Sequence, residues 1–297
     1  MVPTLWFVGV STGQSLINEA FPLWIADLGL DLRLVGRDLP PDAPAPAYRA
    51  LLTELRDSNH VLGAVVTSHK VAVLRAAGDL VDRLDPLAAE CGEANALRRD
   101  PDGLAGFARD PISVGRVVDE IWPDGRDVVC LGAGGTAIAL GRHLLTRTVA
   151  PARLVFADPS PEAGRHLRSV LGPWAQARRV RLEVHVGAGP WNHLVRSSPA
   201  GTLVVNATGL GKDRPGSPLS PTATFPPDAV VWELNYRGDL TMLRQAADSG
   251  EGLVVHDGWR LFCHGWAAAL GPILGLDDEA ERAERFAVLA AHLRPSG

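Results

Sequence analysis

The sequence predicts an α/β protein of two domains built on mostly parallel sheets. Three observations carry that expectation. The 297 residues amount to about two domains. Strand-length apolar runs alternate with helical patterns along most of the chain. The turn Gly132-Ala133-Gly134-Gly135-Thr136-Ala137 sits between one such run and a helix. Hydrophobic residues make up 46% and charged residues 21%, values of a chain with a packed core, which excludes global disorder. No apolar run reaches the ~18 residues of a membrane-spanning helix. The opening Met1-Val2-Pro3-Thr4-Leu5-Trp6 shows no secretory signal, so a cytoplasmic location is expected. A net charge of -5 gives no attraction for nucleic acid. Cys91, Cys130 and Cys263 are odd in number and widely spaced, and read as buried thiols rather than a disulfide or zinc framework. The nine histidines show no H-x-x-x-H pair, and no metal is expected.

Taken in order, residues 5–10 read as a strand, 16–28 as a helix stopped by Gly29, and 32–36 as a second strand. A proline-rich break at 40–46 precedes a helix at 48–55 and a strand at 62–67, and another helix begins near Lys70. This β-α-β-α-β rhythm implies a mostly parallel sheet with right-handed crossovers. Beyond Asp110 come a helix at 112–121, a strand at 127–131, the glycine turn, a helix at 137–147 and a strand at 153–158. Further strands are expected at 180–184, 202–205 and 230–234, with a five-proline surface loop at 212–227 and helices over 259–274 and 279–293. The expected domains are 1–110, completed by 256–297, and 111–255.

Gly132-Ala133-Gly134-Gly135-Thr136-Ala137 fits G-x-G-x-x-A in the context that the pattern requires: a strand before, a helix after, and an acid, Asp158, ending the next strand. Gly132 allows the tight turn, Gly134 lets main-chain amides reach a pyrophosphate, and Ala137 allows close helix–strand packing. The second domain is therefore expected to be a Rossmann-type, doubly wound dinucleotide-binding domain. Asp158 suits the ribose hydroxyls and repels a 2′-phosphate, so NAD is the expected cofactor and NADP the alternative.

Lys70 and Lys212 are the only lysines among 29 basic residues; the other 27 are arginine. Arginine stays protonated at any useful pH, whereas lysine can be tuned to exchange protons. A lysine in such a chain points to proton transfer.

Three strings lie upstream of the glycine turn: Val66-Thr67-Ser68-His69-Lys70, Gly92-Glu93-Ala94-Asn95-Ala96-Leu97 and Gly106-Phe107-Ala108-Arg109-Asp110. Downstream are Val205-Asn206-Ala207-Thr208-Gly209, Tyr236-Arg237-Gly238-Asp239-Leu240-Thr241 and Asp257-Gly258. In order and spacing they resemble the shikimate dehydrogenase family over almost the whole chain. The resemblance implies an N-terminal substrate domain, a nucleotide domain, C-terminal helices that return to the first domain, and reduction of a ring ketone by a nicotinamide cofactor in a cleft between the domains. Matched to the family's Asn-Val-Thr-x-Pro-x-Lys and Asn-Thr-Asp strings, Lys70 and Asp110 take the places of the catalytic pair. The chemistry agrees: hydride delivery to a ketone leaves an alkoxide that needs a proton, and a carboxylate holds the donor ammonium in place. Asn95 matches the asparagine of Gly-Ala-Val-Asn-Thr, which implies a ring-hydroxyl contact. Ser11, Ser15 and Thr67 are expected to touch substrate, and Tyr236 to line the cleft or pack in the core. Asn206, Ala207, Thr208 and Gly258 join the expected cofactor residues. Lys212 is expected to be an exposed loop residue, with a place near the nicotinamide as the alternative.

The chain also departs from the family pattern. Ser-x-Ser is Ser11-Thr12-Gly13, the threonine of Asn-Val-Thr is Val66, and Asn-Thr-Asp is Ala108-Arg109-Asp110. No glutamine stands near His264-Gly265, and the Asn-Arg-Thr of NADP users is Asp158-Pro159-Ser160. Machinery kept with grips changed implies another small polyhydroxylated cyclic acid of the shikimate, quinate or aminoshikimate type. Arg109 is expected to grip its carboxylate, so that Arg109→Ala raises KM. A non-catalytic dinucleotide sensor on the same fold is the alternative, and the chain is expected to be a monomer or homodimer.

Overall fold

The structure is a computed structural model that describes residues 2–123, 126–212, 214–249 and 252–295. The chain divides into two compact units, Met1–Asp110 with Cys263–Ser296, and Pro111–Phe262. The chain re-enters the first unit at Cys263, inside a helix, rather than at the expected residue 256.

The first unit opens with β1 (Thr4–Gly9), α1 (Ile17–Asp27), β2 (Arg33–Asp38), α2 (Ala45–Asp57), β3 (Val61–Val66) and α3 (Lys70–Ala77). Leu5, Trp6, Phe7 and Val8 on β1 are all buried, as befits a strand covered on both faces. α2 and α3 close one face of the sheet, where Tyr48, Leu51, Leu52, Leu55 and Val73 pack on Trp6, Val8, Val61 and Val66. β4 (Arg83–Leu84), α4 (Pro86–Cys91), β5 (Ala96–Asp100) and β6 (Gly103–Phe107) follow, and the strand order is β2-β1-β3-β5-β6-β4. β1, β2 and β3 are parallel, but β5 runs antiparallel to both β3 and β6. That hairpin was not expected from the sequence. Its turn is Asp100-Pro101-Asp102-Gly103, and Gly103 sits at φ 123°, a conformation that disfavours any side chain. Asp102-Gly103 was the legible signal; Arg98 and Arg99 hid the strand before it. The C-terminal helix α11 (Glu279–Leu289) packs on α1: Phe286 stacks on Trp24 at 4.4 Å between ring centroids, and Trp24 Nε1 donates to the Phe286 carbonyl at 3.0 Å.

α5 (Asp110–Ile121) leads into the second unit, with Pro111 at the first-turn position that tolerates a missing N–H. The unit comprises β7 (Asp127–Leu131), α6 (Gly135–Thr146), β8 (Arg153–Asp158), α7 (Pro161–Arg178), β9 (Arg181–Val186), α8 (Asn192–Arg196), β10 (Leu203–Asn206), β11 (Val230–Glu233), α9 (Thr241–Asp248) and β12 (Val254–His256). α10 (Trp259–Leu274) spans the second boundary. The sheet is wholly parallel, in the order β12-β11-β10-β7-β8-β9. It is doubly wound, with its topological switch between β7 and β10, the place where open α/β sheets bind ligands. Among the described residues, no helix is long and apolar enough to cross a membrane.

Candidate active site

In the first unit, sheet register brings together three side chains that are far apart in sequence. Lys70 heads α3 just after β3, Asn95 stands just before β5, and Asp110 heads α5 just after β6. Because β5 is antiparallel to both neighbours, its beginning meets their ends. Val66 N–H donates to the Asn95 carbonyl at 2.9 Å, and Asn95 N–H to the Phe107 carbonyl at 3.0 Å. Lys70 Nζ donates to Asp110 Oδ2. Asn95 Nδ2 donates to Asp110 Oδ1 at 2.6 Å, and Asn95 Oδ1 accepts Arg109 N–H at 2.7 Å. These partners fix the amide's orientation, since a carboxylate cannot donate and a main-chain N–H cannot accept. The Lys70 and Asp110 side chains keep 10% and 15% of their surface exposed.

One further acid belongs to this cluster. Glu93 is fully buried, and neither carboxyl oxygen has a hydrogen-bond partner. Burial raises its pKa to about 7; the Lys70 charge opposes that rise and the Asp110 charge adds to it. For Lys70, burial disfavours the ammonium, but the charges of Asp110 and Glu93 and the hydrogen bond to Asp110 outweigh it, and its pKa stands above the ordinary lysine value. The lysine thus holds its proton more firmly than usual. Sequence reasoning passed over Glu93, although it occupies the alanine place of the Gly-Ala-Val-Asn-Thr string.

The other expected substrate residues have their own partners. Thr67 Oγ1 donates to the Val8 carbonyl at 3.2 Å, past the end of β3. Ser11 and Ser15 flank a short 3-10 turn after β1, where the Ser11 carbonyl accepts Gln14 N–H at 3.2 Å and Ser15 N–H donates to Thr12 at 3.1 Å. Arg109 is committed elsewhere: its Nη2 meets Asp85 Oδ2 at 2.6 Å, and its guanidinium lies over the Phe107 ring at 5.3 Å. Asp85 in turn caps α4 through Ala88 N–H at 2.7 Å. The expected carboxylate grip would have to displace this pair.

In the second unit, Gly132 sits at φ 116°, and a Cβ there would come within 2.6 Å of the Ala207 carbonyl oxygen. Both the conformation and the close approach require glycine. At Gly134 an added Cβ would meet nothing within 4 Å, and no side chain caps α6 there. The cradle is open, and the leading amides of a twelve-residue helix stand ready for an anion. Gly135 and Ala137 are buried and half-buried Thr136 lies between them, so the helix packs closely on the sheet. Ala133 N–H donates to Asp158 Oδ2 at 2.9 Å, and Ser160 N–H to Asp158 Oδ1 at 2.8 Å. The acid ties the glycine turn to the head of α7, and each of its oxygens keeps a lone pair for a further donor.

Asn206 organises the neighbouring turn. It is 1% exposed, donates to Glu233 Oε2 at 2.6 Å, and accepts Thr208 Oγ1 at 2.6 Å. Glu233 also accepts Asn235 N–H at 3.0 Å, yet burial raises its pKa to about 7 against those hydrogen bonds. Asn206 and Glu233 thus hold Ala207 and Thr208 against Gly132 from beneath. Gly258 is glycine because a Cβ would collide with the Leu234 carbonyl. Tyr236 packs on Phe262 at 4.5 Å, and half-buried Lys212 lies 5.9 Å from the Tyr236 ring, so Lys212 is not the exposed loop lysine expected.

A doubly wound nucleotide unit joined to a unit that presents a lysine–aspartate dyad defines the class: an oxidoreductase that acts on a CH–OH group. No family model matches the chain. It is 32% identical over 270 residues to a shikimate dehydrogenase (NADP(+)) of Symbiobacterium thermophilum, covering 88% of this chain and 84% of that protein. It is 29% identical over 281 residues to one of Citrifermentans bemidjiense, covering 90% and 89%. Among solved structures, a quinate dehydrogenase from Corynebacterium glutamicum in complex with NAD superposes with a TM-score of 0.70 at 22% identity, covering 97% of this chain and 99% of that one. The chain belongs to the shikimate dehydrogenase family.

Proposed function

We propose that this chain is an NAD(P)-dependent dehydrogenase that moves hydride reversibly between the nicotinamide and a ketone or hydroxyl carbon of a small polyhydroxylated cyclic acid of the shikimate, quinate or aminoshikimate type. Lys70 is the proton donor and acceptor, and Asp110 its partner. The observation that carries the reading is the joint hold of Asp110 by Lys70 and Asn95. When bound, the cofactor supplies the hydride, and Gly132, Gly134 and the head of α6 would hold its phosphates, with Asp158 toward the ribose. The remaining chemistry belongs to the chain's own residues. In the reductive direction the Lys70 ammonium gives its proton to the alkoxide oxygen as it forms, which leaves a neutral amine. Asp110 holds the ammonium in register and accepts from the substrate hydroxyl, and Asn95 keeps the carboxylate from turning away. In the oxidative direction Lys70 must start neutral. Because its pKa is raised, oxidation quickens as pH climbs into the alkaline range, whereas reduction persists to higher pH than an unperturbed lysine would allow.

NAD is the preferred cofactor on the strength of Asp158, whose charge repels a 2′-phosphate; the curated relatives carry NADP(+) in their names and the solved quinate dehydrogenase holds NAD. The test is a panel of cyclic hydroxy acids assayed with both cofactors, with Lys70→Ala as control. Turnover on at least one acid that Lys70→Ala abolishes supports the proposal. Tight cofactor binding with no turnover on any acid favours the dinucleotide sensor instead.

A further inference from the structure

Glu93 lies just past the turn that ends α4, where Gly92 takes φ 64°. Main-chain hydrogen bonds fix the chain beyond it: Ala94 N–H donates to the Lys70 carbonyl at 3.0 Å, and Asn95 N–H to that of Phe107 at 3.0 Å. The backbone beside Glu93 is therefore held against the head of α3, and its side chain is fully buried with no donor to either oxygen. Such a group costs stability, and its presence asks for a role. The charges that act on it are Lys70 on α3 and Asp110 on α5, while Lys70 also feels the Cys91 thiol at the end of α4.

We propose that Glu93 is a positioning residue for the reaction: a sealed carboxyl that, by taking up or releasing a proton, sets how firmly Lys70 holds its own. The inference rests on the reading of Lys70 as proton donor and acceptor. With Glu93 ionised, the ammonium faces two carboxylates and releases its proton reluctantly. With Glu93 neutral, it faces Asp110 alone and releases more readily. Burial raises the Glu93 pKa to about 7, so both of its states are populated near neutral pH. Glu93 acts only through Lys70.

The chain's two lysines make this directly measurable. Full-length protein carrying 13Cε-labelled lysine gives two resonances, and Lys212→Arg identifies that of Lys70. In the unmodified protein the Lys70 signal should shift twice, once near neutral pH as Glu93 ionises and again in the alkaline range as Lys70 itself titrates. In Glu93→Gln, a neutral near-isostere, the first step should vanish and the second should move down by about one pH unit or more. In turnover, Glu93→Gln should move the alkaline limb of the reductive profile down by the same amount, with KM unchanged. Identical Lys70 titrations in both proteins overturn the proposal. A Lys70 signal without a neutral step in the unmodified protein also overturns it, and that reading needs no variant to fold. The resonance judges the coupling without turnover, and Lys70→Ala judges the role of Lys70 without Glu93, so the two failures are told apart.

Discussion

At the ends of β3 and β6 the chain gathers charged side chains, Lys70, Glu93 and Asp110, around one amide, Asn95. At the end of β7 it gathers main-chain groups around Gly132, with Asn206 and Glu233 bracing them from below. Each site contains one buried acid with a pKa of about 7, but the two acids differ. Both oxygens of Glu233 accept hydrogen bonds, whereas those of Glu93 accept none. The contrast separates two uses of a buried carboxyl. Glu233 holds a turn in shape, and its hydrogen bonds do that work. Glu93 holds nothing in place, and what it offers its neighbours is charge.

The largest expected effect breaks the charged site while sparing the braced one. Lys70→Arg keeps the positive charge but cannot release a proton, so kcat should fall by about 10²–10⁴-fold, with KM and cofactor affinity little changed in steady-state and binding titrations. The converse break is Gly132→Ala, which forces a Cβ toward the Ala207 carbonyl at a φ that L residues avoid. Strain of ~1–3 kcal/mol should weaken dinucleotide binding by about 5–150-fold, read as quenching of tryptophan fluorescence, and leave the Lys70 resonance unmoved.

A third measurement sharpens the role of Glu233. Its pKa is raised in the folded protein from 4.5 to about 7, so its contribution to stability is fully present below pH 4.5 and lost as pH rises through 7. The difference in unfolding free energy between the unmodified protein and Glu233→Gln should therefore change by about 3 kcal/mol across that window, followed by urea titration. The subtraction matters because His69 and His256, pushed below the ordinary histidine value by burial, act in the opposite sense within the window. The smallest expected effect concerns Arg109. Its pairing with Asp85 predicts that Arg109→Ala lowers stability by about 1 kcal/mol and leaves KM for an acidic substrate unchanged. A raised KM would restore the carboxylate grip expected from the sequence.

Some of this was legible before any coordinates. The glycine turn is a local device whose residues act on their own backbone, so Gly132 and Asp158 could be read from six positions and a strand end. Lys70, Asn95 and Asp110 were legible through their strings and through the scarcity of lysine. What escaped depends on strand register. The antiparallel β5 sets Asn95 against Asp110 and Ala94 against Lys70, and a pattern of apolar runs says nothing about which strand reverses. Without that register, Glu93 drew no reading of its own, and Arg109 was assigned to a substrate carboxylate although Asp85 is its partner. Asn206 was read as a cofactor residue from its string, and the Glu233 that also holds it lay out of reach of local spacing.

The stacking of Phe286 on Trp24 has a consequence for the order of events during synthesis. The second unit runs without interruption from Pro111 to Phe262, so a ribosome delivers all of it before the chain returns to the first. The first unit, which holds the charged residues, waits for its last helix to emerge before Trp24 can be covered. The nucleotide-binding half is thus complete in a nascent chain whose first half still lacks the helix that covers Trp24.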